Sequence, residues 1–340
     1  MSFAPALSST VQALLAPGSG LLAADESQPT IGKRFASLDI PSTPATHLAY
    51  RQMLFTTPGL QEYISGVILF DETIRQQING VPVPEFLAQA GMIPGIKVDL
   101  GTEEMPGFPD EKITSGLDGL RERLAEYRQL GARFTKWRAV ITINRNLPSQ
   151  ACITANASSL AEFAALSQEA GLVPIVEPEV LMDGSHTLAR CAEVTEQTLD
   201  TVFAELARHD VAFEGMLLKT AMVLPGKDGP AQASAQEIAT ATLHCLHQTV
   251  PVTVPGIVFL SGGQSDVDAT VRLNAICAVP SAPWTLTFSY GRALQDQSMK
   301  TWHGKASNTD AAQAALHRRA QCNSLATHGR YSVDTERRAS

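Results

Sequence analysis

Two hydrophobic textures alternate along the chain. The first is a short, nearly continuous run of apolar and β-branched residues. It occurs as LLAAD (21–25), YISGVILF (63–70), IPGIKVD (93–99), FTKWRAVI (134–141), LVPIVEPEV (172–180), GMLLKTAMV (215–223), GIVFLSGG (256–263) and TLTFSYG (285–291). Runs with no polar face are those of strands buried on both sides of a parallel sheet. The second texture has apolar residues three and four apart, which predicts helices over 116–130, 158–170, 187–208, 234–247 and 266–276. In the first of these, Leu117, Leu120, Leu124 and Tyr127 share a face opposite Arg and Glu residues, and Ser234 and Asp266 stand where N-caps are expected.

Successive strand starts lie 29 to 43 residues apart, the length of a strand–helix unit with elaborated loops. Eight such units in one unbroken chain predict an α/β fold, a (β/α)8 TIM barrel. A barrel of this kind needs about 250 residues. The remainder of the 340 suits extra N-terminal and C-terminal helices over 5–15, 45–57 and 310–327. A doubly wound sheet would instead open with G-x-G-x-x-G after its first strand, where this chain has Asp25-Glu26-Ser27. No linker divides the sequence, so residues 1–340 read as a single domain, with 332–340 a flexible tail.

Composition narrows the partners. The net charge is −8 and aromatics are only 6% of residues. That disfavours nucleic acid or an anionic membrane as a partner. No apolar run approaches the roughly 18 residues of a membrane span, and no basic residue precedes Lys33, so a secretory leader is not expected. Five cysteines (152, 191, 245, 277 and 322) without a C-x-x-C pair suggest reduced thiols and a cytoplasmic location. His244, Cys245 and His247 have no second cluster at ligand spacing, so they read as helix-surface positions and no metal is expected.

The chemistry is concentrated where the predicted strands end, which in a barrel is the catalytic face. Only eight lysines occur in the chain, and three of them, Lys97, Lys136 and Lys219, fall inside apolar runs. Lysine is depleted in buried strands, so this is a functional signal. Lys97 and Asp99, Lys136 and Arg138, and Glu177 and Glu179 are each two apart, which puts both members of a pair on one strand face. Together with Asp25 they gather cations and carboxylates around one cavity, where such charges must pair. Ser261-Gly262-Gly263 and Ser289-Tyr290-Gly291-Arg292 follow the seventh and eighth strands, where these barrels commonly hold phosphate. A buried lysine among other cations has its pKa lowered and can attack a carbonyl as a neutral amine. These features suggest Schiff-base chemistry on a phosphorylated sugar.

These residues carry a resemblance to a known family. GSGLLAADES (18–27), VILFDET (67–73), GIKVD (95–99), GLDGL (116–120), KWRAVI (136–141), PIVEPE (174–179), EGMLLK (214–219), FLSGGQS (259–265), LNAI (273–276) and TFSYGRALQ (287–295) resemble class I fructose-1,6-bisphosphate aldolase over about residues 3–331. The resemblance implies reversible cleavage of fructose 1,6-bisphosphate to dihydroxyacetone phosphate and glyceraldehyde 3-phosphate, with no cofactor beyond an imine on Lys219. It makes Glu177 the principal acid/base, places Asp25 at the C4 hydroxyl, and sets Lys136 and Glu179 around the imine. Ser261, Gly262, Ser289, Gly291 and Arg292 become contacts of the C1 phosphate, with Arg34 assisting. Lys97 and Arg138 take the other phosphate, and Ser27 and Lys33 are further substrate contacts. Sugar phosphates as partners, a homotetramer and a place in glycolysis or gluconeogenesis are implied with it.

The chain also departs from the family pattern. Thr220-Ala221 follows the lysine where Pro or Ala and then Asn or Ser are usual. His47-Leu48 replaces a pair of arginines, and Thr30 replaces a serine. After Tyr331 only SVDTERRAS remains, so the long tail with its terminal tyrosine found in animal members is not expected. The alternatives are a preference for fructose 1-phosphate, a non-catalytic homologue, and a carboxylate–metal lyase on the same fold.

Overall fold

In the computed structural model, which describes residues 4–229, 231–280 and 282–338, eight parallel strands close into a barrel. They are β1 (Gly20–Ala24), β2 (Ile64–Leu69), β3 (Ile93–Lys97), β4 (Phe134–Ile141), β5 (Val173–Val180), β6 (Leu217–Thr220), β7 (Gly256–Phe259) and β8 (Thr285–Tyr290). Each pairs with its neighbours in sequence, and β1 pairs with β8 to complete the ring. Every predicted strand is present, seven of them within the predicted run and β1 starting one residue earlier, at Gly20.

The strand β4 shows how one sequence serves two environments. Thr135, Trp137 and Ala139 face outward onto the helix α7 (Gln150–Glu169), where Trp137 stacks on Phe163 at 5.6 Å and Thr135 Oγ1 donates to Ser167 Oγ at 2.9 Å. The intervening Phe134, Lys136 and Arg138 point inward, as the two-residue period requires. Inside the barrel, Leu21, Ala23, Ile68, Phe134, Val173, Ile175, Leu217 and Val258 pack with Leu7, Val11 and Leu14 of the first helix, α1 (Ala4–Leu14). So α1 closes the N-terminal end of the barrel with apolar side chains. Two glycines make room for this floor. A Cβ on Gly95 would lie 2.3 Å from the Phe134 ring, and one on Gly66 would lie 2.7 Å from Leu14 Cδ2.

The remaining helices lie outside the barrel. Before β2 come α2 (Gln28–Ala36) and α3 (Pro44–Phe55), and short helices α4 (Asp71–Ile74) and α5 (Val83–Gln89) follow it. Then come α6 (Leu120–Gln129), α7, α8 (Leu188–Arg208), α9 (Ala235–Thr249), α10 (Asp266–Cys277), α11 (Arg292–Trp302), α12 (Thr309–Thr327) and α13 (Val333–Arg338). Several predicted boundaries are corrected. The helix predicted over 116–130 starts only at Leu120, because Gly116 and Gly119 hold left-handed φ values of +124° and +64°. The helix predicted over 158–170 starts at Gln150, where Ser149 accepts from the Cys152 amide. The N-cap of α10 is Ser265, not Asp266; its Oγ accepts from the Asp268 amide at 3.0 Å. Of the segment 332–340, the described part carries α13, where Glu336 grips Arg319 at 2.6 and 3.0 Å and accepts from the Tyr331 hydroxyl at 2.8 Å.

Candidate active site

One turn of pleat above the apolar floor, the inward positions become charged. Register places Lys136 of β4 level with Lys97 of β3 and Ile175 of β5, and Arg138 level with Glu177. Lys136 Nζ lies 2.7 Å from Asp25 Oδ2 and 3.3 Å from Glu177 Oε2. The other carboxylate oxygen of Glu177, Oε1, lies 3.3 Å from Lys219 Nζ of β6. Asp25, just past β1, thus begins a chain of alternating charge that runs Asp25–Lys136–Glu177–Lys219 across the barrel mouth. Lys136, Glu177 and Lys219 are buried, each with a side chain only 4% exposed.

Such burial is tolerable only because each charge has an opposite neighbour. Burial alone would raise the Asp25 carboxyl, but Lys136, Lys219 and Lys97 outweigh it and hold it at about 2, below the usual 3.8. Burial alone would lower the Lys136 ammonium, yet Asp25, Glu177 and Asp99 reverse this and keep it well above a free lysine. So Asp25 is fixed as an anion and Lys136 as a cation.

A second layer of ion pairs lies above the first. Lys97 Nζ donates to the Asp99 carbonyl at 2.6 Å and pairs with its carboxylate at 2.5 Å. The Asp99 carboxylate also accepts from the amides of Gly101 and Arg138, both at 3.2 Å, so it is rigidly held. Arg138 Nε donates to Glu179 Oε2 at 2.5 Å. Burial alone would lower Arg138; Glu179 and Glu177 more than compensate, so it stays above the ordinary arginine value.

The loops after β7 and β8 form a third component. Gly262 and Gly263 hold φ values of +54° and +90°, a turn open to glycine. Gly291 precedes α11, and Ser289 presents a buried hydroxyl with no hydrogen-bond partner among the described residues. A Cβ on Gly263 would lie 3.5 Å from Arg292 Nη2, so the two loops converge. A helix N-terminus with glycine turns and a basic side chain suits an anion.

The predicted contacts from α2 sit differently. Arg34 is already engaged: Nη1 donates to Glu26 Oε1 at 2.5 Å and to Gln295 Oε1 at 3.3 Å, and Nη2 donates to Asp296 Oδ1 at 3.0 Å. Ser27 is the N-cap of α2 and its Oγ meets Thr30 Oγ1 at 3.0 Å, while Lys33 is exposed. Thr220, beside Lys219, is buried. His244 and His247 are exposed on α9 while Cys245 is buried, so the three do not converge. Among the described residues, no group of three or more His, Cys, Asp or Glu could hold a metal, and no helix is long and apolar enough to cross a membrane.

Sequence reasoning overlooked a buried network behind β1. Arg51 is fully buried and donates to the carbonyls of Ala24 and Glu26, at 3.1 and 3.0 Å. Its charge faces Glu26 Oε2 at 3.5 Å and Glu72 Oε2 at 4.0 Å. His47 joins Glu72 to Ser42, at 3.0 and 2.9 Å. In the sequence Arg51 stands between Tyr50 and Gln52 on α3, just before the apolar run Met53-Leu54-Phe55.

Comparison with known proteins gives a consistent result. A family model described as fructose-bisphosphate aldolase class-I matches residues 6–340. The chain is 52% identical over 327 residues to a probable fructose-bisphosphate aldolase class 1 of Xanthomonas axonopodis pv. citri, spanning 96% of this chain and 98% of that one. It is 51% identical over 322 residues to the cytosolic fructose-bisphosphate aldolase 4 of Arabidopsis thaliana, spanning 94% and 82%. Among solved structures it is similar to the fructose-bisphosphate aldolase of Plasmodium falciparum, crystallised with TRAP and a small-molecule inhibitor. The TM-score is 0.96 at 47% identity, over 97% of this chain and 96% of that one.

Proposed function

The chain belongs to the class I fructose-bisphosphate aldolase family and is a lyase of that class, and from that premise we propose that it acts through an imine on Lys219. The observation that carries this reading is the charge chain Asp25–Lys136–Glu177–Lys219, closed at 2.7, 3.3 and 3.3 Å. The substrate is fructose 1,6-bisphosphate, and class I chemistry requires no metal ion.

Lys219 gives up a proton, Glu177 being the nearest carboxylate, and the amine attacks the C2 ketone. Glu177 then protonates the departing hydroxyl of the carbinolamine, and water leaves as the imine forms. Asp25, ionised in the free enzyme, accepts the C4 hydroxyl proton as the C3–C4 bond breaks. The bonding pair moves to C3 and is delocalised into the protonated imine as an enamine, and glyceraldehyde 3-phosphate departs. Protonation at C3 and hydrolysis of the imine release dihydroxyacetone phosphate. Lys136 stabilises the Asp25 and Glu177 carboxylates, and Glu179 fixes Arg138.

Ser261, Gly262, Ser289, Gly291 and Arg292 bind the C1 phosphate. Arg34 assists by holding Asp296 and Gln295 in the first turn of α11. Lys97 and Arg138 take the second phosphate, with Ser27 and Lys33 at the rim. The cytosolic relative and the five free cysteines support a cytoplasmic enzyme, and the family's homotetramer is the assembly we infer. No observation favours a fructose 1-phosphate specialist or a non-catalytic homologue.

Borohydride reduction in the presence of dihydroxyacetone phosphate tests the reading. The expected result is irreversible inactivation with one mass adduct on Lys219. Full activity after reduction, or an adduct on another lysine, would overturn it. Running fructose 1,6-bisphosphate and fructose 1-phosphate in parallel cleavage assays fixes the preference.

A further inference from the structure

The strand β1 leaves its neighbour early. Its pairing with β2 continues to Ala24, but its pairing with β8 ends at Leu22. The carbonyls beyond that point need partners from elsewhere. Two side chains supply them. Gln295 Nε2, from α11, donates to the Ala23 carbonyl at 2.6 Å. Arg51, from α3, donates through Nε to Ala24 and through Nη2 to Glu26. The two carbonyls that Arg51 holds are those on either side of Asp25.

The way Arg51 uses its donors is informative. An arginine buried simply to neutralise an acid turns its fork onto the carboxylate, as Arg319 does with both oxygens of Glu336. Arg51 directs its hydrogen bonds to main-chain carbonyls instead, and its carboxylates stand farther off, at 3.5 and 4.0 Å. Glu26 and Glu72 make the buried cation affordable, and the guanidinium grips the backbone. Gln295 is held in turn, accepting from the Tyr50 hydroxyl at 2.9 Å.

We propose that Arg51 is a positioning residue for carbon–carbon cleavage: by fixing the carbonyls flanking Asp25 from outside the barrel, it sets the direction of the Asp25 carboxylate toward Lys136. The proposal rests on the role assigned to Asp25 above. Asp25 acts on the C4 hydroxyl, and dihydroxyacetone phosphate has no C4 hydroxyl. Loss of Arg51 therefore harms cleavage and spares imine formation.

The test compares Arg51→Lys, Arg51→Met and Asp25→Asn with the wild type. Arg51→Lys keeps the buried charge but cannot span both carbonyls, so it decides the question if Arg51→Met does not fold. Expected for Arg51→Lys is a fall in kcat for fructose 1,6-bisphosphate of about 100-fold, the scale of a roughly 1 Å misplacement. KM stays within about twofold, and the rate of borohydride trapping with dihydroxyacetone phosphate is unchanged. A kcat for Arg51→Lys at the wild-type level overturns the proposal. So does an equal fall in cleavage and trapping, which would make Arg51 a general stabiliser. If Asp25→Asn itself cleaves at the wild-type rate, it is the assignment of Asp25 that fails.

Discussion

The two ends of this barrel are built from the same strands, in places from consecutive inward residues of one strand. On β4, Phe134 belongs to the floor and Lys136 to the mouth; on β6, Leu217 belongs to the floor and Lys219 to the mouth. The floor is sealed by α1 and its side chains have no polar obligations. At the mouth the charges of Asp25, Lys136, Glu177 and Lys219 are almost as deeply buried, and each of these four is answered by an opposite one. Burial does not distinguish core from site here. What distinguishes them is whether the removed solvent is replaced by carbon or by opposite charge.

The largest separation between activity and stability is expected at Lys219. Lys219→Arg keeps the cation but supplies no attacking amine, and kcat is expected to fall on the order of 10⁵- to 10⁶-fold while the melting temperature stays near that of the wild type. Steady-state cleavage and a thermal scan measure both. Glu177→Gln comes next, with kcat lower by about 10² to 10⁴, the usual contribution of a positioned acid/base; a loss below tenfold would move that role elsewhere.

At the floor the signature reverses. Phe134→Ala removes a fully buried ring between Gly66 and Gly95 and is expected to cost about 3–5 kcal/mol of stability. Urea unfolding measures this, and kcat per folded molecule should stay near the wild-type value. The smallest effect is the pH dependence of Asp25. Its folded carboxyl sits at about 2 against an ordinary 3.8, so its stabilisation is complete above pH 3.8 and is lost as pH falls through 2. The window is worth about 2 kcal/mol. Unfolding free energies taken between pH 5 and pH 2 should fall less steeply in Asp25→Asn than in the wild type.

The strands were legible because burial on both faces writes itself as continuous apolar runs, and all eight such runs became barrel strands. Helices were read less evenly. QPTIGKRFA (α2) and RALQDQSMKTW (α11) went unpredicted although each has an apolar face, with Ile31 and Phe35 buried on α2 and Leu294, Met299 and Trp302 on α11. Both are held by tertiary bonds, such as Arg34 to Asp296. In the site, the two-residue period correctly paired Lys136 with Arg138 and Glu177 with Glu179 on inward faces. Arg51 escaped because it acts through main-chain carbonyls 27 and 25 positions away, and a carbonyl has no signature in a sequence.

The seam between β1 and β8 carries a consequence for time rather than geometry. Thr287 Oγ1 reaches the Ser19 carbonyl across a sequence separation of 268, and Gln295 reaches Ala23 across 272. Contacts that distant are slow to form, because the entropy of closing so long a loop is lost before the contact is gained. Asp25 stands on one bank of the seam and Ser289, Gly291 and Arg292 on the other. The return of activity during refolding is therefore expected to trail the return of helix and strand signal.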